Sequence, residues 1–210
     1  MIPHDDFASE PVPGLPARPP LGEEILWQGR PDAFALARDA YKLTWFAGYF
    51  VVLAVWRASI IGTTFGEGVL VTLPYLVIGL AFCAMVYLVA LIQARSTLYT
   101  VTTARVALRI GAALSVTLNI PFKQVANATL ALRQNGTGSI ALETLGDTTI
   151  SYLVCWPHVR PWRLAKTEPM LRCIPDAQRV AKLLADAAQT RLNQPVVTMA
   201  HAGLTLSAAE

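Results

Sequence analysis

The sequence predicts a membrane protein of the α+β class, in which a hairpin of two transmembrane helices is inserted into an antiparallel β-sandwich or barrel capped by a C-terminal helix. Two long apolar runs, separated by five residues, occupy residues 43–93. After them the chain alternates between apolar and polar residues with period two, which is the pattern of half-buried strands. Apolar residues near the C-terminus then recur at helical spacing.

The apolar runs are Leu43–Gly62 and Gly68–Gln93, and each is close to the ~20 residues that a helix needs to cross a bilayer. The first run contains one charged residue, Arg57, and the second contains none. Because the connection TTFGE is so short, we expect the two helices to be antiparallel neighbours, with both flanks on one side of the membrane. Two buried core helices of a soluble protein are the alternative interpretation.

Lysine and arginine residues lie on both flanks of the hairpin, whereas its connection contains neither. They are Arg30, Arg38 and Lys42 before it and Arg95, Arg105 and Arg109 after it. Under the positive-inside rule, both termini of this multi-pass protein are expected to be cytoplasmic. The first 20 residues are acidic and proline-rich, so they do not have the pattern of a cleavable signal peptide.

Charge is distributed unevenly along the chain. Residues 1–42 contain four basic and seven acidic residues, whereas residues 95–191 contain twelve basic and five acidic residues. A basic domain directly after the membrane segment favours contact with anionic lipid headgroups or with an acidic partner at the cytoplasmic surface. A nucleic-acid partner is not expected, because the hairpin tethers this domain close to lipid. The three cysteines form no Cys-x-x-Cys pair and are expected to be free thiols.

The N-terminal part of the chain has two segments of different character. Residues 1–20 contain six prolines and predict a disordered or extended tail, with a docking peptide as the alternative. Residues 21–42 contain the apolar stretch Ile25–Trp27 and then the helix-prone stretch Ala33–Lys42. They predict a first strand and a helix along the membrane interface that leads into the hairpin.

Residues 95–191 predict the cytoplasmic domain, with strands separated by turns about every ten residues. The strands are expected near Thr97–Thr102, Arg105–Ile110, Ser115–Ile120, Val125–Leu132, Ser139–Thr144 and Thr149–Val154. Asn-Gly in the segment Gln134–Gly138 favours a hairpin turn, because both residues tolerate positive φ. A second turn is expected at Gly146–Asp147.

The segment CWPHVRPWRLAKTEPMLRCIPD, residues 155–176, contains four prolines and predicts an irregular loop rich in aromatic and basic residues. A helix is expected from about residue 176 to residue 191, where apolar residues on one face cap the open end of the sheet. These residues are Val180, Leu183, Leu184 and Ala187. Residues 192–210 predict a flexible tail.

Arg160, Trp162, Arg163 and Lys166 are the candidate binding residues of the proline-rich loop. In one interpretation they form an exposed patch at the membrane face that binds a partner or anionic lipid, because Arg and Trp dominate the binding energy of interfaces. In the other interpretation, Trp156 and Trp162 pack under the C-terminal helix.

Arg57 is a further candidate, because it is the one charged residue of the first apolar run. Its side chain can extend along the helix toward the headgroups, which would make it an anchor. The alternative is a polar contact with Glu67, with a partner's helix or with a pigment.

The sequence contains no catalytic constellation. The NGTG segment lacks the lysine and the helix start that a phosphate-binding loop needs. His4, His158 and His201 form no cluster that could hold a metal, since two of them lie in the tails. Nothing orients Cys155 with His158, or Cys173, as a nucleophile. We therefore expect a protein without enzymatic activity, metal or cofactor.

Three segments carry a family resemblance. GEEILWQGRPD precedes the hairpin, and LYTVTTARVALRIG and LNIPFKQVANATL follow it. They resemble the bacterial pleckstrin-homology-like domain of membrane-anchored proteins, where a strand with a Trp and a Gly-x-Pro turn precedes a hairpin and a Tyr-x-(Val/Ile)-Thr-x-x-Arg strand pair follows it. The resemblance implies a six- or seven-stranded pleckstrin-homology-like barrel capped by a helix. It also implies that a strand at Glu24–Trp27 completes the sheet across the hairpin.

The segments NIPFKQVANATLAL, GTGSI and WPHVRPWRLAKTEPMLRCIPDAQRVAKLLADA are more specific. They resemble the PuhB-type photosynthetic complex assembly proteins of purple bacteria, and the likeness extends over about Leu21–Ala188. It implies a non-enzymatic assembly factor for the photosynthetic reaction centre and light-harvesting 1 core complex, in the bacterial inner (intracytoplasmic) membrane. It supplies no catalytic residue.

The partners that this resemblance implies are reaction-centre subunits and light-harvesting 1 polypeptides, and self-association into a homodimer stays open. His158 is expected to be a hydrogen-bonded loop histidine, with ligation of the magnesium of a bacteriochlorophyll as the alternative. A general membrane-anchored lipid- or peptide-binding module is the alternative function. An enzyme of pigment metabolism would need a catalytic cluster, which the sequence lacks.

Overall fold

The computed structural model describes residues 12–15, 17–61, 64–111, 115–133, 136–146 and 150–193. Its strands are β1 (Ile25–Gly29), β2 (Leu98–Thr102), β3 (Arg105–Ile110), β4 (Val116–Pro121), β5 (Val125–Leu132), β6 (Gly138–Thr144) and β7 (Met170–Ile174). Its helices are α1 (Ala33–Asp39), α2 (Leu43–Ile61), α3 (Phe65–Ser96), α4 (Tyr152–Cys155) and α5 (Ala177–Leu192). Gln134 and Asn135 of the predicted hairpin turn, Asp147 of the second turn, and the C-terminal tail after Asn193 lie outside the described residues.

Two antiparallel sheets form the domain. The first has the strand order β1-β2-β3-β4, and the second has the order β5-β6-β7. Within the first sheet, β3 pairs with β4 from Arg105 opposite Pro121 to Ile110 opposite Val116. The antiparallel β domain that the period-two pattern predicts is therefore confirmed.

One apolar core lies between the two sheets and α5. Its buried side chains include Val101 and Leu108 of the first sheet, Ile140 and Leu142 of the second, and Leu184 of α5. Helix α5 contacts β5 and β6 through its apolar face. The predicted C-terminal helix thus covers the sheet as expected.

Strand β1 precedes the helical hairpin in the chain, but it pairs with β2, which follows the hairpin. Gln28 lies opposite Thr100, and Gly29 lies opposite Tyr99. Both ends of the hairpin therefore return to the same sheet, as the family resemblance implies. Between β1 and the hairpin, the backbone N–H of Asp32 donates to the carbonyl of Cys173 at 2.8 Å, which holds the start of α1 against β7.

Helices α2 and α3 form the hairpin, and both are long and apolar enough to cross a membrane. Only 6% of the 18-residue apolar stretch of α2 and 17% of that of α3 are buried within the chain. Two core helices of a soluble protein would be mostly buried, and the structure does not show this. Helix α3 begins with a capping box, in which Thr64 and Glu67 satisfy each other's backbone N–H groups.

The proline-rich segment differs from its prediction. The strand predicted at Thr149–Val154 is wrong, because Tyr152–Cys155 form the short helix α4, while Thr149 lies outside the described residues. Instead, Met170–Ile174 form β7 and pair with β6. All five residues of β7 are buried, so this strand has no alternation of polarity that a sequence pattern could show.

Part of the predicted N-terminal tail packs against the domain. Leu15 is 1% exposed, and Gln28 Nε2 donates to the carbonyl of Pro13 at 3.0 Å. Gly14 has φ +82°, and a Cβ at this position would lie 2.6 Å from Cδ2 of Leu98, so the contact requires glycine. Residues 13–15 therefore pack against the domain, whereas the sequence predicted a disordered or extended tail for all of residues 1–20.

Candidate functional site

The four candidate residues of the predicted patch lie on one loop that follows α4. The backbone N–H of Arg160 donates to the carbonyl of Glu168 at 2.9 Å, and Val159 and Pro169 form an isolated bridge next to this bond. These contacts close the base of a projecting segment, which we call the Arg160–Glu168 loop. The structure therefore brings Arg160, Trp162, Arg163 and Lys166 onto one surface element.

Trp162 is the most exposed large side chain of the Arg160–Glu168 loop. It is 92% exposed and its φ is +66°, a left-handed conformation that non-glycine residues seldom adopt. Leu164 in the same loop is 69% exposed. Trp162 therefore does not pack under the C-terminal helix but lies exposed on the surface of the loop.

Trp156 has a different environment from Trp162. It is 42% exposed, and its ring lies edge-on to Tyr41, with 5.1 Å between the ring centroids and an interplanar angle of 83°. Tyr41 lies two residues before the start of α2. Trp156 thus packs beside the base of the hairpin and not under α5.

A buried carboxylate holds the two arginines of the loop. Glu168 is 3% exposed, and its Oε2 lies 2.9 Å from Nη1 of Arg160, while its Oε1 lies 3.5 Å from Nε of Arg163. Because two guanidinium groups share one carboxylate, this cluster keeps one net positive charge. Lys166 forms an exposed ion pair with Glu143 at 3.3 Å, which contributes at most about 1 kcal/mol to stability.

Arg57 is carried by α2, so it is not part of the Arg160–Glu168 loop. Its guanidinium carbon lies 5.9 Å from the ring centroid of Tyr75 on α3. Its Nε atom is buried and has no hydrogen-bond partner in the described part of the chain. The side chain therefore contacts the neighbouring helix through a cation–π interaction.

His158 is a fully buried histidine with hydrogen bonds at both ring nitrogens. Its Nδ1 lies 2.5 Å from the hydroxyl of Tyr99, and its Nε2 lies 3.1 Å from Oγ1 of Thr97 and 3.3 Å from Nε2 of Gln93. Burial, together with the nearby guanidinium of Arg172, lowers the pKa of His158 to about 3, so the ring is neutral. This geometry disagrees with ligation of a pigment's magnesium, because neither nitrogen has a lone pair that faces solvent or lipid.

Arg172 lies beside His158 on β7, although its charge and its proline-rich surroundings would suggest an exposed loop residue. It is 9% exposed. Its guanidinium donates to the carbonyl of Pro157 at 2.8 Å and to the carbonyl of Asp39 at 3.3 Å. The carboxylate of Asp39, in turn, forms an ion pair with Arg133 and accepts the thiol of Cys173 at 3.4 Å.

These polar residues, all buried except the half-buried Gln93, join the hairpin to the domain, and we call them the junction cluster. They come from the end of α1, the end of α3, β2, the segment after α4, and β7. The members are Asp39, Gln93, Thr97, Tyr99, His158, Arg172 and Cys173. Sequence reasoning missed most of this cluster, because its hydrogen bonds join residues that are 59 to 134 positions apart and no local pattern marks such pairs.

The two buried cysteines are poor nucleophiles. Burial raises the pKa of Cys155. Burial and the neighbouring carboxylate of Asp39 raise the pKa of Cys173 to about 12. Among the described residues, no group of three His, Cys, Asp or Glu side chains could hold a metal ion.

A cleft of about 680 Å³ lies between the outer strand β1 and α5. Its apolar wall includes Leu26, Leu183 and Ala187. Arg179 and Lys182 are among the charged residues at its rim. This cleft is separate from the Arg160–Glu168 loop and is a second place where an extended ligand could bind.

Comparison with known proteins gives two matches. The family model described as "Bacterial PH domain" matches residues 43–188. A protein of Rhodobacter capsulatus, described as an uncharacterized 23.7 kDa protein in the puhA 5' region, is 48% identical over 212 residues, which is 98% of each chain. No solved structure matches this chain.

Proposed function

This chain belongs to the bacterial PH domain family, and from this premise we propose that it is a non-enzymatic assembly factor that binds protein subunits at the cytoplasmic membrane surface. The observation that carries the proposal is the position of Trp162, which is 92% exposed on a loop held by a buried carboxylate. An exposed indole and a left-handed backbone are both unfavourable in an isolated domain. A binding partner that covers the loop would remove the exposed indole from water.

In the proposed arrangement, α2 and α3 cross the inner membrane and both termini are cytoplasmic. The two apolar, largely exposed helices support this arrangement, as does the absence of Lys and Arg between them in the sequence. A protease-sensitive tag inserted at Thr64 should resist digestion from the cytoplasmic side. Digestion of that tag in inverted vesicles would contradict the proposed topology.

The proposed mechanism is local capture by a tethered domain. The hairpin would confine the domain to the membrane surface, which raises its effective concentration for membrane-bound partners. Trp162 would then be the central anchor, and the positive charge left by Arg160, Arg163 and Glu168 would favour acidic segments or anionic headgroups. Transient binding would stabilise partly built subunits until the complex closes.

The proposed target is the photosynthetic reaction centre and its light-harvesting 1 antenna. The resemblance to PuhB-type assembly proteins supports this target. The Rhodobacter capsulatus relative, which is described by its position in the puhA 5' region, is consistent with this target. Deletion of the gene should lower reaction-centre levels and leave pigment synthesis intact, whereas normal complex levels in the deletion strain would reject the proposal.

Affinity capture from mild detergent tests the role of the loop. The variant Trp162→Ala/Arg163→Gln leaves the Arg160–Glu168 ion pair in place, so the loop base should remain folded. The matched control is Lys123→Gln, which removes an exposed basic charge between β4 and β5, away from both the loop and the cleft. We expect reaction-centre or antenna subunits to co-purify with the wild type and the control, and to fall about tenfold with the loop variant, as for loss of an interface hot spot.

A general peptide- or lipid-binding module is the second candidate function, and the cleft between β1 and α5 favours it. An extended peptide could add to the outer strand β1 while its side chains contact α5. The variant Leu26→Glu would place a charge in this cleft. If Leu26→Glu abolished partner capture and Trp162→Ala did not, the cleft would be the binding site and the loop would not.

A further inference from the structure

Helix α4 exposes an unusual amount of apolar surface for four residues. Leu153 is 85% exposed and Val154 is 56% exposed, and Trp156, directly after the helix, is 42% exposed. Residues 150–159, ISYLVCWPHV, contain no Asp, Glu, Lys or Arg. This segment could therefore move from water into an apolar environment without the free-energy cost of burying a charged side chain. We call Leu153, Val154 and Trp156 the α4 surface.

The α4 surface is attached to both ends of the hairpin. On one side, Trp156 packs edge-on against Tyr41, two residues before α2 begins. On the other side, His158 contacts Gln93 and Thr97 at the end of α3. The chain from residue 156 to residue 158 thus bridges the two points at which the hairpin meets the domain.

These contacts hold α4 in place relative to the hairpin. The backbone N–H of Trp156 donates to the carbonyl of Tyr152 at 2.9 Å, and the N–H of His158 donates to the carbonyl of Cys155 at 2.8 Å. Cys155 itself is 2% exposed. These local bonds join α4 to Trp156 and His158, and it is these two residues that contact the base of the hairpin.

From this placement we infer that α4 is a third membrane contact, in which Leu153, Val154 and Trp156 lie in the boundary between headgroups and acyl chains. The inference rests on the proposed insertion of α2 and α3. The occupant is the bilayer that surrounds the hairpin, because Trp156 of the α4 surface packs against Tyr41, two residues before the apolar and largely exposed helix α2 begins. Tryptophan prefers this boundary, since its ring is apolar and its N–H is polar.

A third contact would restrict how the domain moves. A domain held only by a two-helix hairpin could tilt about the point of attachment. Contact of α4 with the same bilayer prevents this tilt and sets the direction in which the Arg160–Glu168 loop projects. The loop would therefore meet membrane-bound partners in one orientation.

The experiment measures the environment of residue 153 in the full-length protein. The variant Leu153→Cys is reconstituted into vesicles and labelled with an environment-sensitive fluorophore, and the wild type gives the background from the native thiols. The control is Ala185→Cys, an exposed position on α5. We expect the label at residue 153 to emit at shorter wavelength, to be quenched by nitroxide-labelled lipid, and to be at least about threefold less sensitive to aqueous iodide than the label at residue 185.

The outcomes separate this inference from the proposed function. If the protein floats with the vesicles but the label at residue 153 is as accessible to iodide as the control, α4 is not a membrane contact and the inference is wrong. If residue 153 becomes shielded only when the co-purified subunits are added, α4 is a protein-binding surface, and the inference is again wrong. If the protein is extracted from vesicles by alkaline carbonate, the hairpin is not inserted and the proposed function fails as well.

Discussion

The hydroxyl of Tyr99 lies 2.5 Å from Nδ1 of His158 and joins β2 to the segment that follows α4. The same oxygen accepts the backbone N–H of Arg172 at 3.2 Å, so its own proton is available to His158. On the other side of the same ring, Nε2 lies 3.1 Å from Oγ1 of Thr97. One phenol thus connects three elements of the domain to the end of α3.

Replacement of Tyr99 tests the importance of this connection. Tyr99→Phe should lower the free energy of unfolding by about 1–3 kcal/mol, because it leaves the buried Nδ1 of His158 and the N–H of Arg172 without a partner. The measurement is the urea midpoint of the full-length protein in one detergent, followed by near-UV circular dichroism. The control is Tyr152→Phe, at a half-buried tyrosine of α4. Equal midpoints for the two variants would show that the hydrogen bonds of Tyr99 contribute little.

The neutral His158 makes stability depend on pH. Its pKa is about 3 in the folded protein, against 6.5 as the reference value, so the unfolded state binds more protons between these two pH values. The free energy of unfolding should therefore fall as pH decreases below 6.5, with a slope that approaches about 1.4 kcal/mol per pH unit from this one group. The slope falls to about half its maximum at pH 6.5 and vanishes about one to two pH units higher, where the ring is neutral in both states.

The variant His158→Gln should be less stable at pH 7 but should lose most of this slope between pH 6.5 and pH 5, where most carboxylates stay ionised. The matched control is His4→Gln/His201→Gln, which removes the other two histidines of the chain. Urea unfolding at several pH values measures the slope. If His158→Gln kept the full slope, or if the control lost it, the pH dependence of the free energy of unfolding would come from groups other than His158.

The buried thiols should resist alkylation in the folded protein. Cys155 is 2% exposed and Cys173 is 0% exposed, and burial raises the pKa of both. Because the thiolate is the reactive form, N-ethylmaleimide at pH 7.5 should modify either residue at least about a hundredfold more slowly than a cysteine introduced at the exposed Ala185 on α5. Peptide mass spectrometry before and after unfolding measures the rates. Rapid labelling of Cys173 in the folded state would mean that the junction cluster opens readily.

The two glycines of the hairpin should respond differently to alanine. A Cβ at Gly79 would lie 2.6 Å from Cβ of Phe50, whereas a Cβ at Gly48 would meet nothing within 4 Å. Gly79→Ala should therefore push α2 and α3 apart and destabilise the protein by about 1–3 kcal/mol. Gly48→Ala should be neutral or stabilising by up to about 1 kcal/mol, because alanine favours the helix. Thermal unfolding in one detergent compares them, and an equal response would indicate that the helices do not pack through Gly79.

Local sequence patterns were sufficient to predict most of the helices and strands. The strands predicted at Arg105–Ile110 and Val125–Leu132 coincide with β3 and β5, and the helix predicted from about residue 176 coincides with α5. In β3 the buried apolar residues Val106, Leu108 and Ile110 recur with period two, and α5 buries one face, so the polarity of both elements repeats with the period of the backbone. Strand β5 is mostly exposed, and its strand-favouring composition and flanking turns predicted it. The hairpin helices were also predictable, because apolar runs of this length are compatible with few structures other than long helices.

Local patterns failed where burial is complete or contacts are distant. The residues of β7 are all buried, and α4 contains β-favouring residues that tertiary contacts hold as a helical turn. The sequence predicted which residues belong to the candidate patch but not how they are arranged. Their arrangement depends on Glu168, which becomes the shared partner of Arg160 and Arg163 only when the loop closes.

The sequence by itself determined an α+β chain with two apolar helices inserted after its first strand, because hydrophobic runs and periodicities are local properties. Only the tertiary structure decided that His158 is buried, that Trp162 is exposed and that α4 lies at the base of the hairpin. These assignments depend on which distant segments pack together, since burial and hydrogen bonding are properties of the assembled core and not of any one segment.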